Sequence, residues 1–453
     1  TDRAYLALTQ ALSVHVGGVA SGPTGTGKTE TVKDVGRTFG VFVVVTNCSE
    51  LQHFLEVAKV FKGICQGGIW GCFDDLDRMK VDVLSVMAQQ LLAITTAWRV
   101  GSRSVLFPGD DEPMVLNPAV GIFATMNPRY VGRKELPENL KVLFREVAMA
   151  FPDREMIVKV KLRSTGYKSF SSLASKFAAF YRLCEVQLSK QEHYDFGLRN
   201  VLSVLRTTGA AKREKTREEE DGEEEFLLMQ SLRDANLAKL VPQDVPLFLA
   251  LLADVFPDTQ LSIARSNDDV GAALLATMRD DRANSSSWLQ KASQLHATTL
   301  ARHGIMIVGP PGSGKSSIVS ALSEALTSLH GVPHRCVRLN PKSIRTEDLF
   351  GETDSVSGEW VGGVFGAMWT KFNDRTRKDK VWITCDGPID AEWIENLNSV
   401  LDDSRILSIA NGDRVPMSPN VRLMFEVEDL RNATPSTVSR CGVVFVSDID
   451  LDW

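Results

Sequence analysis

The chain has 453 residues, a formal net charge of −6, 43% apolar residues and 24% charged residues. That length predicts roughly two to four domains, each able to bury a full core. Nothing in the acidic balance suggests a sequence-independent grip on DNA or RNA, so anionic substrates must be met by local sites.

The first motif in the chain is a glycine-rich loop made of Gly22, Pro23, Thr24, Gly25, Thr26, Gly27, Lys28 and Thr29. It fits G-x-x-x-x-G-K-[ST], in which backbone N–H groups wrap phosphate oxygens, the lysine reaches the outer phosphates and the hydroxyl ligates Mg²⁺. Val32, Val35 and Phe39 follow at helical spacing. Residues 41–45 form an apolar run of strand length, and residues 69–73 form another that ends in Asp74 and Asp75. A helical pattern over 83–94 precedes a third strand, 121–126, which ends at Asn127. Apolar strands alternating with helices predict an α/β fold with a parallel sheet covered on both faces. Ligands on such sheets bind beyond the carboxyl ends of the strands, where these polar residues lie.

Residues 152–302 are helical in pattern, and Leu198, Val201, Leu202 and Leu205 mark one face. The charged run 212–225 has no apolar stripe and reads as a solvated loop. The first order of elements then repeats. Residues 305–308 lead into a second loop of Gly309, Pro310, Pro311, Gly312, Ser313, Gly314, Lys315 and Ser316. Ile318, Leu322, Ala325 and Leu326 face one side of a helix, 336–339 is a strand, and 381–385 is a strand ending in Asp386. Trp393, Leu397, Val400 and Leu401 stripe a further helix before a strand at 421–427. A duplicated cradle means repeated nucleotide-binding modules, with ATP and Mg²⁺ as the expected cofactors.

In the first copy, Lys28 is the phosphate-reaching cation and Thr29 a Mg²⁺ ligand. Asp74 ends its strand where a carboxylate holds Mg²⁺ directly or through water, and Asp75 is placed to act as base on the attacking water. The plainer reading of the pair is a strand cap. Asn127 is placed to hold water or the γ-phosphate; with Pro128 following, it equally suits a turn. In the second copy, Lys315 and Ser316 are in place and Asp386 can assist Mg²⁺. Gly387 follows it and offers no base, while the strand 421–427 runs into Glu428 and carries no Asn. Without a group to orient water, phosphoryl transfer loses its positioning contribution, so this copy is expected to hold ATP without hydrolysing it.

Taken together, TDRAYLALTQ from Thr1, GPTGTGKTETVKD, WGCFDD, ATMNP and ELPENLK resemble the first AAA+ module of the dynein heavy chain motor ring. HYDFGLRNVLSVLR from His193 resembles that module's small helical subdomain. GPPGSGKS, LNPKS, CDGPIDAEWIENLNSVLDD, ANGDR and TVSRCG are similar to the next module of the ring, so the likeness runs collinearly over essentially the whole chain. It implies tandem AAA+ P-loop NTPase modules, each a parallel sheet with flanking helices, with a helical small subdomain after the first. The implied boundaries are 1–150 for the first large subdomain, 151–262 for its small subdomain, 263–303 for a helical connection and 304–453 for the second large subdomain. By the same resemblance Asn127 is the first sensor, and Arg199 is the second, contacting nucleotide. Arg440 is the arginine finger by which the second module completes the first site. Read without the resemblance, Arg199 is a solvated helix arginine and Arg440 an ordinary residue before a strand. Two departures stand out. The family usually carries Asp-Glu where this chain has Asp74 and Asp75, and Arg129 stands where a small residue is usual.

The implied activity is ATP hydrolysis in a minus-end-directed microtubule motor. The implied partners are microtubules, reached through parts outside this chain, and other dynein heavy, intermediate and light chains, with no nucleic acid and no membrane. The CDGPIDAEWIENLN stretch and residues 446–453 look more like axonemal, outer-arm-type chains, which implies the cytoplasm and cytoskeleton, in the axoneme of a cilium or flagellum. The start at Thr1 without Met, the end at Trp453 and the lack of a second small helical lid are expected of a fragment of a longer chain. No basic-then-apolar leader opens the chain, and apolar runs such as 41–45 are too short to span a bilayer. Seven cysteines without a C-x-x-C pair read as reduced intracellular thiols with no metal framework. Two rivals remain at this stage: a ring module that holds nucleotide without hydrolysing it, and another multi-module AAA+ remodelling ATPase.

Overall fold

Two five-stranded parallel sheets of the same strand order carry the two glycine-rich loops in the computed structural model. The structure describes residues 2–128, 136–214, 221–257, 268–277, 286–354, 357 and 359–448; Arg129, singled out above, lies outside them. The chain divides into two compact units. One comprises residues 1–152, 347–366 and 408–415, and the other 153–346, 367–407 and 416–453.

In the first unit the strands are β1 (Gly17–Ser21), β2 (Val43–Asn47), β3 (Trp70–Asp74), β4 (Gly121–Met126) and β5 (Phe144–Ala148), ordered β2-β3-β4-β1-β5. Helices α1 (Asp2–Ser13) and α2 (Lys28–Phe39) supply Leu8, Val32 and Val35 to a cluster with Trp70 and Phe123. A second cluster, with Phe61, Leu84, Leu91 and Phe73, involves α3 (Phe54–Gly67) and α4 (Val81–Val100). Burial on both faces is why β1, β3 and β4 carry no alternation of apolar and charged residues, whereas the edge strand β5 exposes Arg145 and Glu146. The β2 strand starts two residues later than the apolar run predicted. Gly40, in the left-handed region, closes α2, and the N–H of Val41 bonds back to the Gly36 carbonyl, so the run's first residue belongs to the helix end. Helix α4 is long and apolar enough to cross a membrane, but it buries Leu84, Met87, Leu91 and Ile94 in the first core.

Phe73 sits at the centre of that core with its ring 4.9 Å from Phe61. Phe73→Ala is expected to lower unfolding free energy by about 3–5 kcal/mol, read from the denaturant midpoint at unchanged slope. A loss under about 1 kcal/mol would mean that the site collapses around the cavity.

The second unit opens with helices α5 (Arg154–Ser164), α6 (Phe170–Gln187), α7 (Leu198–Glu214), α8 (Asp221–Leu237) and α9 (Val245–Val255). They enclose Phe177, Tyr181, Val201, Leu232 and Phe248. The charged run departs from the predicted solvated loop, because its described ends are helical. Glu224 on α8 is buried, ion-paired with Lys212 and bonded by the N–H groups of Lys168 and Ser169. Burial alone would raise its carboxyl, but these partners together hold it below the ordinary glutamate range. Helices α10 (Asp268–Thr277), α11 (Ser286–Ala301) and α12 (Lys315–His330) pack on one side of the second sheet, where Trp288, Leu295, Ile318 and Leu322 meet.

That sheet consists of β6 (Gly304–Val308), β7 (His334–Leu339), β8 (Lys380–Asp386), β9 (Val421–Val427) and β10 (Gly442–Phe445), ordered β10-β6-β9-β8-β7. The N–H of Phe445 on its edge strand bonds the Ala238 carbonyl just after α8. The predicted helix through Trp393 and Leu401 forms as three short turns, 391–394, 395–397 and 398–401, with all four striped residues buried. All seven cysteines are free thiols.

Candidate functional site

Register fixes the first site. Ser21 pairs with Met126 across β1 and β4, while Phe73 pairs with Ala124 across β3 and β4. The strand ends therefore deliver the loop after Ser21, the Asp74–Asp75 pair and Asn127 to one edge. Gly22 is bonded through its N–H to the Met126 carbonyl, and a Cβ there would lie 2.4 Å from the Met149 carbonyl oxygen. Only glycine lets the loop leave the sheet so close to its neighbour. Gly27 takes the left-handed conformation at the start of α2. The Lys28 ammonium donates to the carbonyls of Gly22 and Pro23 at 2.8 and 2.9 Å, so it is held over the loop.

The Thr29 hydroxyl donates to Asp74 Oδ1. Thr125, from the middle of the sheet, donates to the same oxygen at 2.6 Å and accepts the Asp75 N–H at 3.0 Å. One hydroxyl thus ties both acidic residues to β4. Asp75 has φ 54, a left-handed conformation uncommon for a residue with a Cβ and frequent at functional sites. Asn127 is buried, and its Oδ1 accepts no hydrogen bond among the described residues; its N–H meets Asp77 Oδ2 at 3.4 Å. The structure therefore brings Lys28, Thr29, Asp74, Asp75 and Asn127 to one strand-end edge. It adds Thr125 and Asp77, which sequence reasoning missed; the one signal was a threonine inside an otherwise apolar strand. A hydroxyl–carboxylate pair beside a glycine-rich loop, with an orphaned amide oxygen, fits a nucleotide with a hard divalent cation.

The second site is built on the same plan with different chemistry. Gly309 bonds the Val427 carbonyl, and a Cβ there would lie 2.0 Å from the Val446 carbonyl oxygen. Gly314 repeats the left-handed start of the following helix, and Lys315 donates to the carbonyls of Gly309 and Pro310 at 2.6 and 2.7 Å. Burial pulls the Lys315 ammonium below the usual lysine range, against the opposing pull of Glu426, Glu428 and Asp386. The Ser316 hydroxyl donates to Glu426 Oε2. Asp386 pairs in register with Glu426 but is half exposed, with Oδ2 3.9 Å from Arg338 Nη1. A Cβ at Gly387 would lie 2.7 Å from Asn340 Oδ1, so a side chain there would have to displace the exposed Asn340 amide.

Arg199 and Arg440 both belong to the second unit and meet at one carboxylate. Asp402 Oδ1 lies 2.9 Å from Arg440 Nε and 3.2 Å from Arg199 Nη2. Arg199 also donates to the Ser439 hydroxyl at 3.2 Å, and Arg440 to the Ser436 carbonyl at 3.0 Å. Arg440 is only 7% exposed, so its orientation is set by these partners. Asp402 was not among the residues singled out from the sequence; nothing in its spacing marks it.

Comparison with known proteins adds two family matches. The family described as hydrolytic ATP binding site of dynein motor region covers residues 1–316, and AAA domain (dynein-related subfamily) covers 304–441. The whole chain is 49% identical to 10% of the dynein gamma chain, flagellar outer arm, of Chlamydomonas reinhardtii. It is 48% identical to 10% of dynein axonemal heavy chain 8 of Homo sapiens, and 41% identical to 10% of the ciliary dynein beta chain of Tripneustes gratilla. The chain thus spans about a tenth of the length of these relatives.

Proposed function

The chain belongs to the dynein motor-region family of AAA+ proteins, and from that premise we propose that its first cradle hydrolyses ATP while its second holds ATP without turning it over. In the first cradle, Lys28 meets the outer phosphates, Thr29 and Asp74 hold Mg²⁺, and Asp75 orients the attacking water. Asn127 reads the γ-phosphate through its amide. Arg199 contacts the nucleotide, and Arg440 supplies positive charge to the transferring phosphoryl group. The observation that carries the reading is the hydroxyl–carboxylate chain Thr29–Asp74–Thr125–Asp75 beside the orphaned Asn127 amide oxygen. Holding without hydrolysis in the second cradle is favoured by Gly387, which stands in the position of Asp75 and offers no base.

In the longer protein, this ATPase couples nucleotide turnover to minus-end-directed movement along microtubules. It works with other dynein heavy, intermediate and light chains in the cytoskeleton of a cilium or flagellum. The axonemal and ciliary names of the relatives support that placement.

Phosphate release by the 453-residue chain tests the division of labour. Lys28→Ala is expected to abolish turnover, whereas Lys315→Ala leaves hydrolysis at the first cradle measurable and removes one bound nucleotide per chain. Turnover that survives Lys28→Ala and disappears with Lys315→Ala would reverse the assignment.

A further inference from the structure

The two cradles place their acidic groups differently: Asp75 in the first stands where the second has Gly387, and Glu426 in the second stands where the first has Thr125. In both sheets, the strand beside the cradle strand carries one residue whose side chain meets the loop's last hydroxyl system. In the first it is Thr125, in register with Ala20 on β1, and neutral. In the second it is Glu426, in register with Ile307 on β6. The first cradle's hydroxyl, Thr29, is held by Asp74 on β3. The second cradle's hydroxyl, Ser316, is instead held by Glu426 on β9, and Asp386, which occupies the strand-end position of Asp74, does not take it. The Glu426 side chain is 1% exposed; its Oε1 accepts no hydrogen bond among the described residues and lies 3.4 Å from Arg338 Nη2.

We propose that Glu426 is the carboxylate that positions Ser316 and completes the divalent-cation site of the second cradle, so that nucleotide is retained there only as its Mg²⁺ complex. This rests on the reading that the second cradle holds ATP. A buried carboxylate beside a polyphosphate repels it unless a divalent cation stands between them; with the cation present, the same charge becomes attractive. Asp386, on the paired strand, supplies a second acidic group at the same edge, and Arg338 spans the two carboxylates.

The test measures binding of a fluorescent ATP analogue to the 453-residue chain carrying Lys28→Ala, which leaves the second cradle as the binding site, in Mg²⁺ and in EDTA. Glu426→Thr and the isosteric Glu426→Gln are compared in the same background, with thermal melts confirming folding. Both are expected to weaken binding in Mg²⁺ by about tenfold or more, in the range seen when a group supporting a metal site is removed. In EDTA both are expected to hold or gain affinity, so the Mg²⁺-to-EDTA ratio collapses. Equal losses in Mg²⁺ and EDTA, or no loss in either, would overturn the role of Glu426 while leaving nucleotide retention intact. If the Lys28→Ala parent binds no nucleotide in Mg²⁺, retention in the second cradle fails, and the role of Glu426 falls with it.

Discussion

Arg440→Ala is expected to lower steady-state ATP turnover by about 10³–10⁵-fold while nucleotide affinity at the first cradle changes little. An arginine that meets charge building on the transferring phosphoryl group acts in the transition state, so its loss appears in kcat and not in binding. The structure sets a constraint on the experiment. Arg440 is buried against Asp402 and Ser436, and removing it leaves Asp402 with one cationic partner fewer. A purely structural role would lower the melting temperature and nucleotide affinity along with turnover. Arg440→Lys separates the cases further, because lysine keeps the charge but cannot reproduce the guanidinium's fixed fork. The expected order of turnover is wild type, then lysine, then alanine, with affinities alike. Equal turnover in all three would remove Arg440 from the chemistry.

Asp75→Glu is expected to raise turnover by up to about 10²-fold without changing nucleotide affinity. Aspartate is one methylene shorter than the glutamate usual at this position in the family, which draws its carboxylate back by about 1 Å, a displacement able to cost that factor. The backbone gives Asp75 little freedom to compensate. Its N–H is tied to Thr125, and its φ of 54 holds it in a left-handed turn. At such a φ aspartate is the easier residue, because its short side chain can hydrogen-bond locally, so glutamate adds some strain that works against the gain. Phosphate release in single turnover, compared between the two proteins, reads the chemical step directly. No turnover in wild type but recovery in Asp75→Glu would favour the rival reading of a module that holds nucleotide without hydrolysing it. Equal rates would mean that aspartate reaches the water as it stands.

The strands and cradles were legible in the sequence for a local reason. Predicted strands 121–126 and 421–427 coincide with β4 and β9, since a strand buried on both faces is apolar along most of its length. The α12 helix was equally plain, with Ile318, Leu322, Ala325 and Leu326 all inside. Edges of elements were less so: β2 lost its first residues to the end of α2, and the charged run 212–225 folded its described ends into helices once Glu224 found Lys212 and two backbone amides.

Contiguous sequence was enough to place two glycine-rich loops, each opening a helix beside a parallel sheet, with Gly387 in the second where the first has Asp75. These follow from contiguous residues whose backbone and spacing carry the chemistry. Tertiary structure alone decided what the polar groups do to one another. Thr125 ties Asp74 to Asp75, Glu426 takes Ser316 from 110 positions away, and Asp402 gathers Arg199 and Arg440 from 203 and 38 positions away. Such partnerships depend on strand register and on which turns share a unit, and neither leaves a periodic signal along the chain.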